Sequence, residues 1–549
     1  MNRVLSLVLL AAISVPAFAN ETSWYFLQSG NAASTPLHDR GIYGQGQIIA
    51  ILDTGLDYDN CYFAEADNSA PPVNTGSPDG TLRWINVDGS RRKVIAYDFL
   101  YSCDQFSGAR GCDDPASPLA YDNQGHGTHA AGAAAADKGA PFLHDYADAI
   151  APGAKLVIQD AGFIGGDSCA QRPGLGCPLR ELGPVLQQAY LQGARIHSNS
   201  WGDLQGVPPP FVPPTANYSA GAAEIDAFVY AHPDMLVIFN TGNAGILGPS
   251  SASAPGVAKN SIDVGGAYMN NNGDLTVSDY SGRGPTRDGR IKPDLIGPDS
   301  VIAADSDLNV SSRNCDLSRQ PGTSWASPTI AGAAALVRQY YVDGFYPSGR
   351  RKAVDGRIPS AALLKATLIA SGRAAPLEDG AGGTHFSEAV PSFAQGFGMP
   401  VLDDALFFAG DVSQLRVLDR SQADGLTAGQ AYTTRLRVSG GVPLRVVLVW
   451  TDPASQPRNA TDSTSVLVND LDLRLIAPDG TPHLGNDKSG TGNRDRLNNV
   501  EEVALANPAP GLYEVTVSAE NLSGGARQGF ALVVTGAVSD PLRTRPARR

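Results

Sequence analysis

Gln47-Ile48-Ile49-Ala50-Ile51-Leu52-Asp53-Thr54-Gly55 is the stretch on which the fold turns. A nearly unbroken apolar run ends in a carboxylate and a glycine turn. The run is too short for a buried helix and does not alternate, as expected of a strand covered on both faces in a parallel sheet. Lys155-Leu156-Val157-Ile158-Gln159 and Met235-Leu236-Val237-Ile238-Phe239 read the same way. Helical candidates at Gly127–Ala136, Pro184–Gln192, Ser219–Ala231 and Ser324–Tyr341 lie between or after these runs. Alternating strands and helices from about residue 40 to 410 predict an α/β fold, a doubly wound parallel sheet. Such sheets place their ligands at the carboxyl ends of the strands, which is where Asp53 stands.

Three stretches interrupt the alternation. Residues 60–120 are rich in Asp, Pro, Gly and Cys, and residues 162–180 carry two more cysteines. Pro208-Pro209-Pro210-Phe211-Val212-Pro213-Pro214 reads as a stiff surface loop more readily than as a ligand for an aromatic groove. Beyond residue 410 the pattern changes to short alternating segments. Examples are Tyr432–Val438, Leu444–Trp450, Leu471–Leu475 and Leu512–Val517, separated by turns such as Pro478-Asp479-Gly480. This predicts a second, all-β domain, a sandwich or jelly roll. The expected division is 1–19, an export signal; 20–410, the α/β domain; 411–538, the β domain; and 539–549, a frayed tail.

Arg3, the apolar run Val4–Ile13 and Ala17-Phe18-Ala19 have the form of a signal peptide cleaved after Ala19. The apolar run falls short of the ~20 residues that a membrane span needs. The expected location is therefore secreted or periplasmic, with no membrane partner. The net charge of -14 disfavours nucleic acid and anionic lipid and suits a soluble exported protein. Export permits disulfides among Cys61, Cys103, Cys112, Cys169, Cys177 and Cys315. Spacing does not settle their pairing; short separations favour Cys103 with Cys112 and Cys169 with Cys177, leaving Cys61 with Cys315.

Three segments carry the chemistry. Asp53 ends the decisive strand. His126 lies within Asn123-Gln124-Gly125-His126-Gly127-Thr128-His129, with glycines on both sides that allow other backbone to approach. Imidazole is the side chain best suited to move a proton near neutral pH. A metal pair of His126 with His129 is the rival, but no Glu lies between them and no third ligand follows. Ser324, in Gly322-Thr323-Ser324-Trp325-Ala326-Ser327-Pro328, opens a helix. Such a serine is often only an N-cap, yet helix amides and dipole also favour the negative charge that develops at a nucleophile.

Asp, His and Ser in that chain order, each at the edge of an α/β element, resemble the signatures of the subtilisin-like serine peptidases. The likeness covers about residues 35–410. It implies a catalytic triad of Asp53, His126 and Ser324. It also implies that Asn243, in Asn240-Thr241-Gly242-Asn243-Ala244-Gly245, donates to the oxyanion beside the Ser324 backbone N–H. Ser200, Trp201 and Gly202 are similar to the family's substrate-binding strand, whose backbone would pair with an extended peptide. The implied activity is that of a serine endopeptidase acting on protein or peptide substrates through an acyl-enzyme, with no cofactor for the chemistry.

The β domain resembles the jelly roll appended to certain alkaline subtilases, through Val449-Trp450-Thr451-Asp452-Pro453, Leu467–Leu473 and Asn498-Asn499-Val500-Glu501. Some of that group bind calcium, which makes Asp470, Asp472 and Asp487 candidate ligands for structural calcium, against a plain acidic turn. Many secreted subtilases carry an N-terminal pro-domain. The stretch from Asn20 to Asp53 is shorter than the ~40 residues below which chains rarely fold alone, so none is expected here. A monomer is expected. Two other functions share these residues: an inactive subtilase fold used for binding or adhesion, and an acyl transferase that joins peptides on the same triad.

Overall fold

The computed structural model describes residues 20–31, 34–75, 85–100, 116–122, 124–139, 145–161, 181–202, 216–269, 275–378 and 385–542. The expected signal peptide, the proline run, and Cys103, Cys112, Cys169 and Cys177 lie outside them.

The main sheet contains β1 (Ile48–Asp53), β2 (Val73–Thr75), β3 (Val94–Phe99), β4 (Lys155–Asp160), β5 (Ile196–Asn199), β6 (Leu236–Asn240), β7 (Ile262–Met269), β8 (Leu275–Val277) and β9 (Leu295–Pro298). Its order is β2-β3-β4-β1-β5-β6-β7-β8, with β9 also on β7. From β2 to β7 every pairing is parallel. The run at 48–53 is apolar because β1 is flanked by strands on both edges and covered on both faces, with every residue after Ile48 buried. Chain order diverges at β1, between β4 and β5, so a crevice opens at the carboxyl ends of these strands.

Helices α1 (Asn20–Gln28), α2 (His126–Ala135), α3 (Gly183–Leu191), α4 (Ala220–Ala231), α5 (Thr323–Val342) and α6 (Ala361–Ala370) complete the layers. α2 to α5 fall within about a residue of their expected bounds. α5 crosses the sheet against α2 and β5 to β7, and nearly all of its side chains are buried. Its Ala- and Gly-rich sequence suits that close packing. β3 corrects the irregular reading of residues 60–120, since all six of its residues are buried in the sheet. Cys61 is disulfide-bonded to Cys315.

Short strands form the periphery. β10 (Ile302–Ala304) pairs with β11 (Leu317–Arg319), and β12 (Gly372–Arg373) with β15 (Met399–Pro400). β13 (Pro376–Glu378) and β14 (His385–Ser387) extend the main sheet beyond β8.

The C-terminal region is a sandwich of two four-stranded antiparallel sheets. It uses β16 (Gln414–Arg420), β17 (Ala431–Val438), β18 (Leu444–Val449), β19 (Asn469–Ile476), β20 (Pro482–Leu484), β21 (Val500–Leu505), β22 (Gly511–Leu522) and β23 (Phe530–Gly536). The orders are β16-β23-β18-β21 and β17-β22-β19-β20. β17 alternates strictly between exposed and buried residues, because its outer face meets solvent. β18 and β23 do not, because α6 covers their outer face. Val446, Leu448, Leu532 and Val534 fill the sandwich core, while Val447, Val449, Ala531 and Val533 join the core of the α/β domain. The expected frayed tail begins too early. Asp540 accepts a hydrogen bond from the Arg437 N–H, and Leu542 is buried in the sandwich core.

Candidate active site

Asp53 stands at the carboxyl end of β1, with one oxygen accepting the Thr54 N–H at 2.8 Å. The same oxygen lies 2.6 Å from His126 Nδ1. The Asp53 side chain is buried, while His126 keeps 31% of its side-chain surface exposed, so one end of the imidazole faces the crevice. Burial alone would lower the His126 pKa. The adjacent Asp53 carboxylate outweighs it, through charge and hydrogen bond, and raises the pKa above the usual 6.5.

The first turn of α2 is fixed by Asp122. One Asp122 oxygen accepts the Thr54 hydroxyl and the Gly125 N–H, both at 2.8 Å. The other accepts the N–H and hydroxyl of Thr128 at 2.7 and 2.5 Å. Burial pushes the Asp122 pKa up to about 6, against the hydrogen bonds that favour its charge. The Thr54 hydroxyl in turn accepts the Gly127 N–H at 2.8 Å. Helix and strand can come this close because residue 127 is glycine: a Cβ there would stand 2.1 Å from the Gly55 carbonyl oxygen.

Ser324 occupies the first turn of α5 and is 8% exposed. Its hydroxyl is turned toward the Ser200 carbonyl at 3.3 Å. The next residue, Trp325, lays its ring against His126, with centroids 4.7 Å apart. Asn243 follows β6, and its amide oxygen accepts both the N–H and the hydroxyl of Thr323 at 3.0 and 2.8 Å. Those two bonds orient the amide and leave its NH2 group facing away from Thr323.

Ser200, Trp201 and Gly202 continue beyond the end of β5. The Ser200 hydroxyl donates to the Ser324 carbonyl at 2.6 Å, so this side chain braces the helix that bears Ser324. Trp201 packs edge-on against Phe239, and Gly202 passes against Ser253.

His129 follows His126 by three residues in α2 and is buried. It lies 3.2 Å from the Ser318 hydroxyl, and burial together with nearby His126 pushes its pKa down to about 3. Asp470 and Asp472 are ion-paired with Arg496 and Arg494, and Asp487 accepts the N–H groups of Thr491 and Gly492. Among the described residues no group of three or more His, Cys, Asp or Glu side chains is arranged to hold a metal ion. Sequence reasoning missed the supporting residues Thr54, Asp122 and Thr323. Thr54 and Thr323 adjoin motif residues, which is a local signal; Asp122 lies three residues before Gly125, the N-cap of α2, and carries none.

A family profile described as Subtilase family matches residues 44–398. The serine protease/ABC transporter B family protein tagA of Dictyostelium discoideum is 26% identical over 92% of this chain and 31% of its own length. The chain thus spans about a third of that relative. Subtilisin BL of Lederbergia lenta is 26% identical over 55% of this chain and 80% of its own. Among solved structures, the serine protease of Aeromonas sobria aligns over 94% of this chain and 95% of its own, at 16% identity and a TM-score of 0.38. The profile runs from the residues just before β1 to those just after β14, across every segment that builds the crevice, and the chain belongs to the subtilase family.

Proposed function

We propose that the chain is an exported serine endopeptidase. Ser324 is its nucleophile, His126 its general base and acid, and Asp53 the group that holds the imidazole. The observation that carries this reading is the 2.6 Å contact of Asp53 with His126 Nδ1, beside the helix turn that bears Ser324. With Nδ1 held, Nε2 is free to take a proton.

Rotation of the Ser324 hydroxyl away from the Ser200 carbonyl lets it pass its proton to His126 Nε2 as its oxygen attacks the scissile carbonyl. The Asn243 NH2 and the Ser324 N–H stabilise the oxyanion. His126 then protonates the leaving amine, and the acyl-enzyme forms. Water, deprotonated by His126, releases the acid product. An extended peptide would lie along Ser200, Trp201 and Gly202, adding a strand by backbone pairing. This chemistry draws on no cofactor. Export rests on the signal-peptide pattern of residues 1–19. The domain division at about 410 and a jelly-roll assignment for residues 411–538 complete the reading. The assignment is supported by strand order: counted along the sandwich, the first, eighth, third and sixth strands form one sheet, and the second, seventh, fourth and fifth the other.

The test is casein hydrolysis by the exported chain beside Ser324→Ala, with and without a fluorophosphonate. The expected outcome is cleavage by the wild type alone, abolished by the reagent, with the label on Ser324. Cleavage by folded Ser324→Ala, or label on another residue, would overturn the assignment.

A further inference from the structure

The oxyanion site is more heavily furnished than the two donors above. Position 322, directly before Thr323, is glycine. A Cβ built there would have three nearest neighbours, all nitrogens that carry hydrogen: Trp325 Nε1 at 3.5 Å, Ser324 N at 3.8 Å and Asn243 Nδ2 at 3.9 Å. Three nitrogens that carry hydrogen therefore lie within 4 Å of one point beside Gly322, next to Ser324. The Ser324 N–H lies in the first turn of α5, where no intrahelical carbonyl is available to it. The Asn243 amide is fixed through its oxygen by Thr323, so its NH2 group is the part left for the space.

The third group is the unexpected one. Trp325 is 3% exposed, and its indole nitrogen meets no acceptor among the described residues. A buried N–H without an acceptor costs stability, and indole N–H groups usually find a partner when buried. The ring cannot swing freely to find one. It is wedged between His126, with centroids 4.7 Å apart, and His129, with centroids 4.3 Å apart. It also stands at the N-terminal end of a long helix, where the backbone dipoles favour negative charge.

We propose that the Trp325 indole N–H is a third donor to the oxyanion, acting with Asn243 and the Ser324 backbone. This deepens the reading of Ser324 as the nucleophile and rests on it. The acceptor it lacks in the free protein is supplied as the scissile carbonyl becomes tetrahedral and its oxygen gains a full negative charge. A donor used mainly at that stage lowers the barrier without tightening substrate binding, so it acts on kcat more than on KM. Trp325 has a second contact, with His126, and the test must separate the two.

Trp325→Phe keeps an aromatic ring against both histidines and removes only the N–H. The expected result is a fall in kcat of roughly 10- to 100-fold with KM little changed, below or at the loss found for a single oxyanion donor elsewhere. Affinity for a peptide aldehyde, whose adduct with Ser324 carries the oxyanion, should fall by a similar factor. Binding of the corresponding peptide acid should hold, and the acid limb of the pH profile should stay in place. Unchanged kcat and aldehyde affinity would overturn the proposal. So would a loss of activity accompanied by a displaced acid limb, which would make Trp325 a positioning residue for His126. Fluorophosphonate labelling of wild-type Ser324 is run alongside: without it the nucleophile assignment itself falls, whatever Trp325→Phe does.

Discussion

His126 shows how one residue's behaviour follows from two opposed effects. Burial disfavours the imidazolium and Asp53 favours it, and Asp53 prevails. General-base catalysis needs the neutral ring, so kcat/KM should rise with pH through an apparent pKa above 6.5. In Asp53→Asn the raising influence is gone while the burial stays. The acid limb should then move to lower pH, with kcat down by about 10⁴-fold because the wrong tautomer is held. A pH–rate profile of both proteins checks this; an acid limb that stayed in place would remove Asp53 from the role. The candidacy of Asp53, His126 and Ser324 was legible in the sequence, since each sits in a local pattern with glycine or a helix start beside it. The donor direction of Asn243 was not. It is set by Thr323, 80 residues further along the chain.

At the scale of elements, the strands β1, β4 and β6 and the helices α2 to α5 were legible, because burial of a strand on both faces leaves an unbroken apolar run. β3 was not, lying among polar and turn-forming neighbours in a stretch that reads as loop. α6 was also missed. Its sequence, Ala-Ala-Leu-Leu-Lys-Ala-Thr-Leu-Ile-Ala, is buried all round and so shows no polar face. The meeting of α2 with β1 is the element contact on which the site depends. Gly127→Ala would put a methyl group 2.1 Å from the Gly55 oxygen and 2.8 Å from the Gly55 nitrogen, against backbone rather than a flexible side chain. The two elements must part, taking His126 away from Asp53. We expect kcat to fall by about 10²-fold or more, with a lower Tm. Thermal denaturation and casein turnover of this variant test it, and near-wild-type values for both would show that the contact is softer than its geometry implies.

Across the whole molecule, the sandwich is built into the α/β domain rather than tethered to it. α6 packs on β18 and β23, and Lys259 of the α/β domain enters the loop between β18 and β19. There it is ion-paired with Asp452, both side chains being fully buried, and donates to the carbonyls of Pro453 and Val466 at 2.6 and 2.8 Å. Asn260 and Asp452 exchange two more bonds, at 2.8 and 2.9 Å. Lys259→Met should destabilise the protein by about 3–5 kcal/mol, because Asp452, and Asp226 at 4.0 Å, are left buried without their shared cation. Lys259→Met combined with Asp452→Asn, which removes the charge and keeps an amide oxygen to accept from the Val468 or Asn469 N–H, should recover part of that loss. Urea denaturation of the three proteins decides; equal loss in single and double variants would mean that packing, not charge, holds the junction. By itself the sequence determined the class of each domain and several of the strands and helices around the site, and it nominated the side chains that we propose carry the chemistry. Those are written in local apolar period and short motifs, where neighbouring residues settle the outcome. Only the tertiary structure decided the partners: Asp122 under α2, Thr323 against Asn243, Trp325 beside the oxyanion space, and Lys259 with Asp452. Apart from the bonds of Asp122 to nearby Gly125 and Thr128, such contacts join residues distant along the chain, and no local pattern encodes where packing brings them together.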